Sequence, residues 1–323
     1  MTFDINQPLV KTMSIFLVPL LLSNISQSIG QLISIVLVSR WIGEDAVAAL
    51  SAFFPLFFLL VSFSIGIGSG SSILIGQAYG AKNEQRLKEI IGTTLSFTFL
   101  IGLSLAIIGG FFATDILNLM GTPANIVEES ATYARILFIS MPILFLYFVY
   151  TTFLRGTGDS KTPFYFLIIS TATNFLILPI LVFGWLGLPA FGLYGAAYSS
   201  VISTIITFII LHIYLYRTKH PLRIDASVRK YLTMKRELLK TLLKLSIPSS
   251  MNMILVSLSE IAVISFVNDY GSQATAAYGV VNQVVSYVQM PAVSLGLTVS
   301  IFALYLCSTI HRCREYQSAQ RRH

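Results

Sequence analysis

Eight stretches of this sequence are long and apolar enough to cross the hydrocarbon core of a membrane, which takes about 20 mostly apolar residues in a helix. Polar or charged stretches separate them, and none alternates between apolar and polar residues as a membrane-spanning β-strand does. The pattern therefore predicts an all-α integral membrane protein. The predicted spans are 14–38, 46–78, 90–112, 133–153, 163–184, 191–216, 245–268 and 276–306.

The composition supports a membrane environment for most of the surface. Hydrophobic residues make up 55% of the chain and charged residues 11%, whereas a soluble domain carries about 25% charged residues. The net charge is +7, but the basic residues lie between the apolar stretches and not along one face, which argues against a nucleic-acid partner. The expected partners are the lipid bilayer and a small molecule, with no obligate protein partner.

The basic residues alternate from loop to loop, which fixes the predicted orientation. The first apolar run, Ile15–Val38, has no cleavage pattern and is long enough to remain as a span. We therefore expect a multi-pass protein of the bacterial inner membrane with both termini in the cytoplasm. The basic residues on the predicted cytoplasmic side include Lys82, Arg86, Lys88, Arg155, Lys161, Arg217, Lys219, Arg223, Lys235, Arg236, Lys240 and Lys244.

One long basic segment, residues 217–244, separates two groups of spans. Its leucines, Leu232, Leu238, Leu239 and Leu242, would suit an amphipathic helix on the inner leaflet. A solvated linker is an equally good interpretation. The predicted domains are a six-helix bundle at 1–216, this linker, the first two helices of a second bundle at 245–306, and a basic tail at 307–323.

The segment after the linker repeats the start of the chain at a nearly constant offset of 228 or 229 positions. Six spans separate the two copies, so both enter the membrane in the same direction. Such a parallel repeat is typical of transporters that rock one half against the other. The matching positions are Pro19 and Pro248, Gly43 and Gly271, and Gly68 and Gly296.

The second copy departs from the first after about Ser300. The first copy continues into Gly76–Ala81, whereas the second has Leu304–Ser308 and then a basic tail. A complete second bundle would need four more spans. The expectation is a premature end, for example through a frameshift. The tail's Cys307 and Cys313 have no metal-site spacing, so no metal site or cofactor is expected.

Several motifs resemble those of the multidrug and toxic compound extrusion (MATE) family, and the resemblance covers about residues 12–300. The most specific is the loop from Arg155 to Pro163, Arg-Gly-Thr-Gly-Asp-Ser-Lys-Thr-Pro; Gly76–Ala81 and Gly187–Ala197 are others. The resemblance implies two six-helix bundles that export cationic drugs in exchange for Na⁺ or H⁺. This chain would hold the complete first bundle and two helices of the second.

The loop after the fourth span is predicted to be structural or to take part in gating. Its glycines allow a tight turn, and Pro163 suits the first turn of the next helix. We expect its charged residues to pair at the cytoplasmic surface. The residues in question are Arg155, Gly156, Gly158, Asp159, Lys161 and Pro163.

Prolines inside the spans, notably Pro19, Pro179 and Pro248, are predicted helix kinks. Each removes a backbone hydrogen bond. Kinked helices would suit a cavity that opens alternately to each side, although neighbouring helices can also compensate a kink that has no function.

Glu260 is the predicted ion-coupling residue, because it lies in the seventh span about twelve residues past Pro248. Ionisable groups at that depth are costly and usually functional, although a hydrogen-bonded structural carboxyl is the alternative. The resemblance also places a cation-site glutamate in this span. It also matches Gln283 to a polar cavity position, although an amide that only packs between helices is an equally good interpretation. In the first bundle the sequence departs from the family, because the family's aspartates are missing at Ser34 and Leu178. The polar residues inside its spans that could line a cavity are Asn24, Gln27, Gln31, Ser34 and Asn174.

The predicted function is secondary antiport of a cationic amphipathic drug or metabolite by alternating access, with Na⁺ or H⁺ as the coupling ion. The sequence contains no Walker A motif and no catalytic constellation, so we do not expect an enzyme. Two alternatives stay open. One is an inactive fragment of such a transporter; the other is a related flippase for lipid-linked oligosaccharide, which would need basic residues inside the spans.

Overall fold

A computed structural model of the protein describes residues 9–42, 44–119, 127–187, 189–225, 231, 235–268, 281 and 284–303. These residues form eight α-helices and one short 3₁₀ turn, Trp185–Gly187. The helices are α1 Leu9–Trp41, α2 Glu44–Gly80, α3 Glu84–Leu119, α4 Val127–Gly156, α5 Lys161–Phe183, α6 Leu193–Arg217, α7 Arg236–Asn268 and α8 Val284–Ala303.

The all-α prediction is confirmed. Seven of the helices, all except α7, are long and apolar enough to cross a membrane. The remaining predicted span, 245–268, is helical throughout and forms the later part of α7. The tail at 307–323 lies outside the described residues.

Close approach between helix backbones holds the first bundle together. α3 packs along α4 with Gly102 against Pro142, where a β-carbon on Gly102 would lie 2.7 Å from the proline Cα. α2 approaches α4 in the same way, with Gly68 against Thr152 and Gly156 against Ser72. Small residues permit such contacts in membrane bundles, where backbone proximity supplies the van der Waals attraction.

The three prolines predicted as kinks all lie inside helices. Pro19 is in α1, Pro179 in α5 and Pro248 in α7, and each helix continues on both sides of its proline. The missing N–H of each ring leaves one carbonyl of the preceding turn without its usual partner.

In the part that the structure describes, residues 217–244 differ from both interpretations. α7 begins at Arg236, so the boundary at 244 falls inside a helix. Leu238 and Leu242 are 1% and 0% exposed and belong to the core of the first bundle, with Leu222 of the same segment. These three leucines are covered by protein and therefore lie neither on the inner leaflet nor in solvent, whereas Leu232 is outside the described residues.

Candidate functional site

In the described part of the chain, two helix pairs bring the bundles together, and α3 adds a smaller contact with the start of α7. In one pair, Gly66 and Gly70 of α2 lie against Ser250 and Ser246 of α7, with no room for a β-carbon at either glycine. In the other pair, Asn24 of α1 donates a hydrogen bond to Ser294 Oγ of α8 at 3.0 Å.

These two contacts are related by the internal repeat. The relation holds between helices: Ser294 lies 228 positions after Gly66, at the repeat offset, whereas Ser250 lies 226 positions after Asn24, two positions short of it. Each contact thus joins one helix of the first copy to the non-equivalent helix of the second. This exchange is what an axis between the bundles along the membrane normal produces.

Both contacts lie in the same half of the bundle. We call the end that carries the loops 81–83, 157–160 and 218–235 the basic end. Phe16 and Leu20 of α1 pack with Ile301 of α8 nearer to that end than Asn24 and Ser294 do. The bundles are therefore joined along the halves of their helices that approach the basic end.

Three of the predicted cavity residues lie in the first bundle. Asn174 of α5 is half-buried, donates to Ser200 Oγ and accepts from Ser199 Oγ, both of α6, at 3.3 Å. Ser34 is half-buried on α1 and Gln31 is exposed. None of these three side chains carries a charge.

Helix packing places two of these residues at a similar depth. A β-carbon on Gly30 of α1 would lie 3.3 Å from Thr171 Cγ2 of α5. Both helices run away from the basic end, and Ser34 and Asn174 each follow this contact by about one turn. The structure thus puts Ser34 and Asn174 on neighbouring helices at one level.

The two remaining predicted site residues belong to the second copy. Glu260 lies in α7, twelve positions after Pro248, and its side chain is outside the described residues. Gln283 is outside them as a whole. The assigned roles of both stay predictions. Among the described residues, no three His, Cys, Asp or Glu side chains come together as a metal site.

The loop from Arg155 to Pro163 closes α4 and opens α5. Gly158 has φ 83°, its N–H donates to the Arg155 carbonyl, and Asp159 N–H donates to the Leu154 carbonyl. This pair of bonds is the Schellman arrangement, which requires a left-handed residue and so favours glycine. The carboxylate of Asp159 then accepts from the N–H groups of Lys161 and Thr162 and from the Thr162 hydroxyl.

The expected surface pairing among Arg155, Asp159 and Lys161 is wrong for Arg155, which forms no ion pair with Asp159 in the described part of the chain; Asp159 instead accepts from the first turn of α5. Arg155 lies in the last turn of α4, and its Nε is buried with no hydrogen-bond partner in the described part of the chain. Pro163 is buried in the first turn of α5.

A site that the sequence did not predict fixes the linker to the first bundle. Lys235 Nζ lies 2.6 Å from Glu89 Oε1, and Lys88 Nζ lies 2.6 Å from Asp225 Oδ2. The Tyr150 hydroxyl donates to the Leu222 carbonyl at 3.4 Å. One signal was available, since Glu89 is an acid next to Arg86 and Lys88 near the start of α3, but no local pattern identifies a partner 146 positions away.

His220 belongs to the same docked segment. Its Nδ1 accepts the Leu222 N–H at 3.2 Å, which requires the neutral ring. Burial lowers the pKa of His220 below its ordinary value, and nearby Asp159 opposes this effect. The linker is thus held by a neutral histidine as well as by ion pairs.

Long apolar helices in two repeated bundles, joined by repeat-related contacts, define a multi-span membrane protein with the parallel-repeat architecture found in transporters. The chain matches the MatE family over residues 19–180 and 248–305. The two matched segments begin at Pro19 and Pro248, the first pair of repeat anchors. The chain belongs to the MatE family, as its motifs indicated.

Curated relatives cover nearly all of this chain. The probable multidrug resistance protein YoeA of Bacillus subtilis (strain 168) is 69% identical over 293 residues, which are 91% of this chain and 63% of that protein. YpnP of the same strain is 28% identical over 91% of this chain and 64% of its own length. The multidrug export protein MepA of Staphylococcus aureus (strain MRSA252) is 22% identical over 88% and 61%. The chain thus spans less than two thirds of the length of these relatives.

Solved structures share the fold. A multidrug resistance MATE family transporter in an outward-facing conformation aligns with a TM-score of 0.83 at 22% identity, over 93% of this chain and 65% of that one. A MOP superfamily transporter from Pyrococcus furiosus aligns equally well. The membrane-bundle prediction is therefore confirmed at the level of the fold.

Proposed function

We propose that this chain is part of a secondary antiporter that exports cationic amphipathic compounds in exchange for Na⁺ or H⁺ by alternating access. The observation that carries the proposal is the pair of repeat-related contacts between the bundles, α2 with α7 and α1 with α8. Within the described residues the bundles contact each other toward the basic end, and an arrangement of this kind allows them to rock against each other. The names of the relatives YoeA and MepA support drugs as the exported compounds.

The central step of the proposed cycle is competition for one carboxylate. Glu260 lies on α7, the helix that contacts the first bundle, at a depth where an ion must replace lost hydration. Na⁺ or H⁺ at Glu260 would neutralise it and favour one orientation of the bundles, and a cationic substrate would favour the other. Gln283, Gln31, Ser34 and Asn174 would supply uncharged polar contacts for the substrate.

Efflux of a fluorescent cationic dye tests the role of Glu260. Glu260→Gln keeps the size of the side chain and removes its charge, so ion-driven efflux should fall about tenfold or more. Glu237→Gln is the matched control, because Glu237 lies exposed in the first turn of the same helix and should leave efflux unchanged. Undiminished ion-driven efflux by the Glu260 variant would remove Glu260 from the mechanism.

The length of the chain makes a second comparison necessary. The relatives are longer than this chain, so its activity should be measured beside a version completed to twelve helices. Efflux by both would show that eight helices suffice. Efflux by the completed version alone would favour the alternative that this chain is an inactive portion of a transporter.

The proposed orientation places the basic end in the cytoplasm, in accordance with the positive-inside rule. Cysteine at exposed Lys82 should then be shielded from a membrane-impermeant thiol reagent in intact cells. Cysteine at exposed Asp115, at the opposite end of α3, should react. The reverse result would invert the topology.

A further inference from the structure

The side of α7 that is turned away from the first bundle carries a row of basic residues near the start of the helix. Arg236, Lys240 and Lys244 recur at every fourth position, and all three are exposed. Leu238 and Leu242, which pack into the core of the first bundle, lie on the opposite side of the helix. None of the three basic residues forms an ion pair within the described part of the chain. The row is therefore a cationic surface that these residues of the protein do not neutralise.

The same face continues into the membrane as an apolar surface. Lys244 directly precedes the predicted span 245–268. Lys240 lies about 6 Å further out along the axis, and the headgroup layer on one side of a bilayer is about 5–7 Å thick. The two lysines thus bracket the depth at which lipid phosphates lie. The exposed side chains that continue this face are Ile247, Met251, Leu255 and Leu258.

The internal repeat supplies the same arrangement a second time, on α1. Phe16 and Leu20, which contact α8, lie on one side of α1, and a basic residue followed by exposed apolar residues lies on the other. Because α1 to α6 make up a complete bundle, this exposure is not due to a missing helix. The repeat therefore predicts that the same face of α7 contacts lipid in a completed second bundle also. At an offset of 229 the equivalent pairs are Lys11 and Lys240, Val18 and Ile247, Leu22 and Met251, and Ile29 and Leu258.

We propose that this face of α7 binds an anionic phospholipid of the leaflet at the basic end. The phosphate lies between Lys240 and Lys244, with Arg236 one turn further out, and an acyl chain follows the apolar side chains from Ile247 onward. Each Lys or Arg near an anionic lipid surface strengthens the attraction by about fivefold. A zwitterionic lipid has no net charge for these residues to attract. Glu237, the one acid in residues 236–247, lies nearer to the water than both lysines and does not oppose the phosphate at its depth.

The proposed lipid gives the start of α7 a second support. Lys235 pairs with Glu89 of the first bundle at 2.6 Å, whereas Arg236, the next residue, is exposed on the lipid side. The first turns of α7 are then held between protein on one side and an anionic headgroup on the other. This inference does not depend on antiport, because it concerns a lipid that stays bound and is not transported.

Quenching of a single tryptophan by brominated lipids tests the proposal. Met251→Trp places the reporter on the acyl-chain part of the face, on a background with Trp41 and Trp185 replaced by phenylalanine. The protein is reconstituted in phosphatidylcholine vesicles that contain a small fraction of brominated phosphatidylglycerol or of brominated phosphatidylcholine. We expect the apparent binding constant of the brominated phosphatidylglycerol to be about tenfold higher or more.

The α1 face provides an internal comparison. Leu22→Trp, at the repeat-equivalent position, reports on a face that has Lys11 as its basic residue, so its preference for the anionic lipid should be about fivefold or less. An equal preference at Leu22→Trp and Met251→Trp would contradict the role of the basic row. A Met251→Trp reporter that neither lipid quenches would mean that protein covers the face and would overturn the proposal.

Two pairs of lysine substitutions separate a local site from the general surface charge. Lys240→Gln with Lys244→Gln should lower the preference at the Met251→Trp reporter to about twofold or less. Lys82→Gln with Lys219→Gln removes the same charge from exposed loop positions at the basic end and should leave the preference unchanged. Unchanged quenching by brominated phosphatidylcholine shows that each variant is inserted as the parent is. An unchanged preference in the first pair, or an equal loss in the second, would overturn the proposal.

Discussion

The ammonium group of Lys235 lies 2.6 Å from the carboxylate of Glu89, although 146 positions separate the two residues. The Glu89 side chain is only 8% exposed, whereas Lys235 is 46% exposed. A carboxylate so well covered needs a partner to remain charged. Lys235 therefore fixes the linker and also makes the burial of Glu89 possible.

Removal of the lysine charge should destabilise the protein. Lys235→Gln leaves Glu89 covered without its main partner, and we expect a loss of about 1–3 kcal/mol, less than for a fully buried pair because Lys235 is half-exposed. Thermal unfolding in detergent measures the effect. Glu89→Gln with Lys235→Gln should recover much of the loss, and Lys240→Gln on the exposed face of α7 should be neutral. A single variant as stable as the parent would mean that the pair contributes nothing.

Two glycines of α3 should respond to alanine in opposite ways. A β-carbon at Gly92 would lie 2.5 Å from the Tyr231 carbonyl oxygen, whereas at Gly110 it would meet nothing within 4 Å. Gly110→Ala should stabilise the helix by up to about 1 kcal/mol. Gly92→Ala should destabilise by about 1–3 kcal/mol, because the linker backbone must shift. If Gly92→Ala and Gly110→Ala changed the melting temperature by the same amount and in the same direction, the docked position of Tyr231 would be contradicted.

The carboxylate of Asp159 should stabilise the folded protein by about as much as a helix N-cap does. Asp159→Ala removes the acceptor for two N–H groups and one hydroxyl at the start of α5, at an expected cost of about 0.5–2 kcal/mol. Asp115→Ala, at an exposed position near the end of α3, is the control. Thermal unfolding of the two variants should differ, and an equal melting temperature would show that water replaces the cap without cost.

Stability should fall as the pH drops below about 6.5, the ordinary pKa of histidine. The pKa of His220 is lowered in the folded protein, so in that range the unfolded chain takes up a proton more readily than the folded one. The His220 contribution is complete above the unfolded pKa and is lost as the pH falls through the folded pKa. Melting curves between pH 5 and 8 should show a shallower slope for His220→Gln. If melting temperature depended on pH as steeply in His220→Gln as in the parent protein, groups other than His220 would cause the pH dependence.

The membrane spans and the repeat were predictable because their signals are local. A run such as 163–184 is apolar over its full length, and in a bilayer such a run forms a membrane-spanning helix. The repeat was visible at Pro19 and Pro248 because proline and glycine positions survive in both copies. The family motif from Arg155 to Pro163 likewise predicted a turn from its own glycines and proline.

The docking of the linker was not predictable, because the same pattern fits two environments. Leu238 and Leu242 mark an apolar helix face, but spacing alone does not say whether lipid or protein covers it. Glu89 and Lys235 attract each other only after the fold has brought them together. Asp159 shows the same limit, since its carboxylate accepts from backbone N–H groups and a hydroxyl at the start of α5, which its charged neighbour Arg155 did not indicate.

The buried leucines of the linker bear on the order of synthesis. Leu222, Leu238 and Leu242 complete the core of a bundle whose six helices end at Arg217. When the sixth helix leaves the ribosome, the part of that core at the basic end is still unfilled, and Glu89 has Arg86 beside it but not yet Lys235. The nascent protein must wait for about 25 more residues, or rely on an insertion factor to cover the gap, before its first half can close.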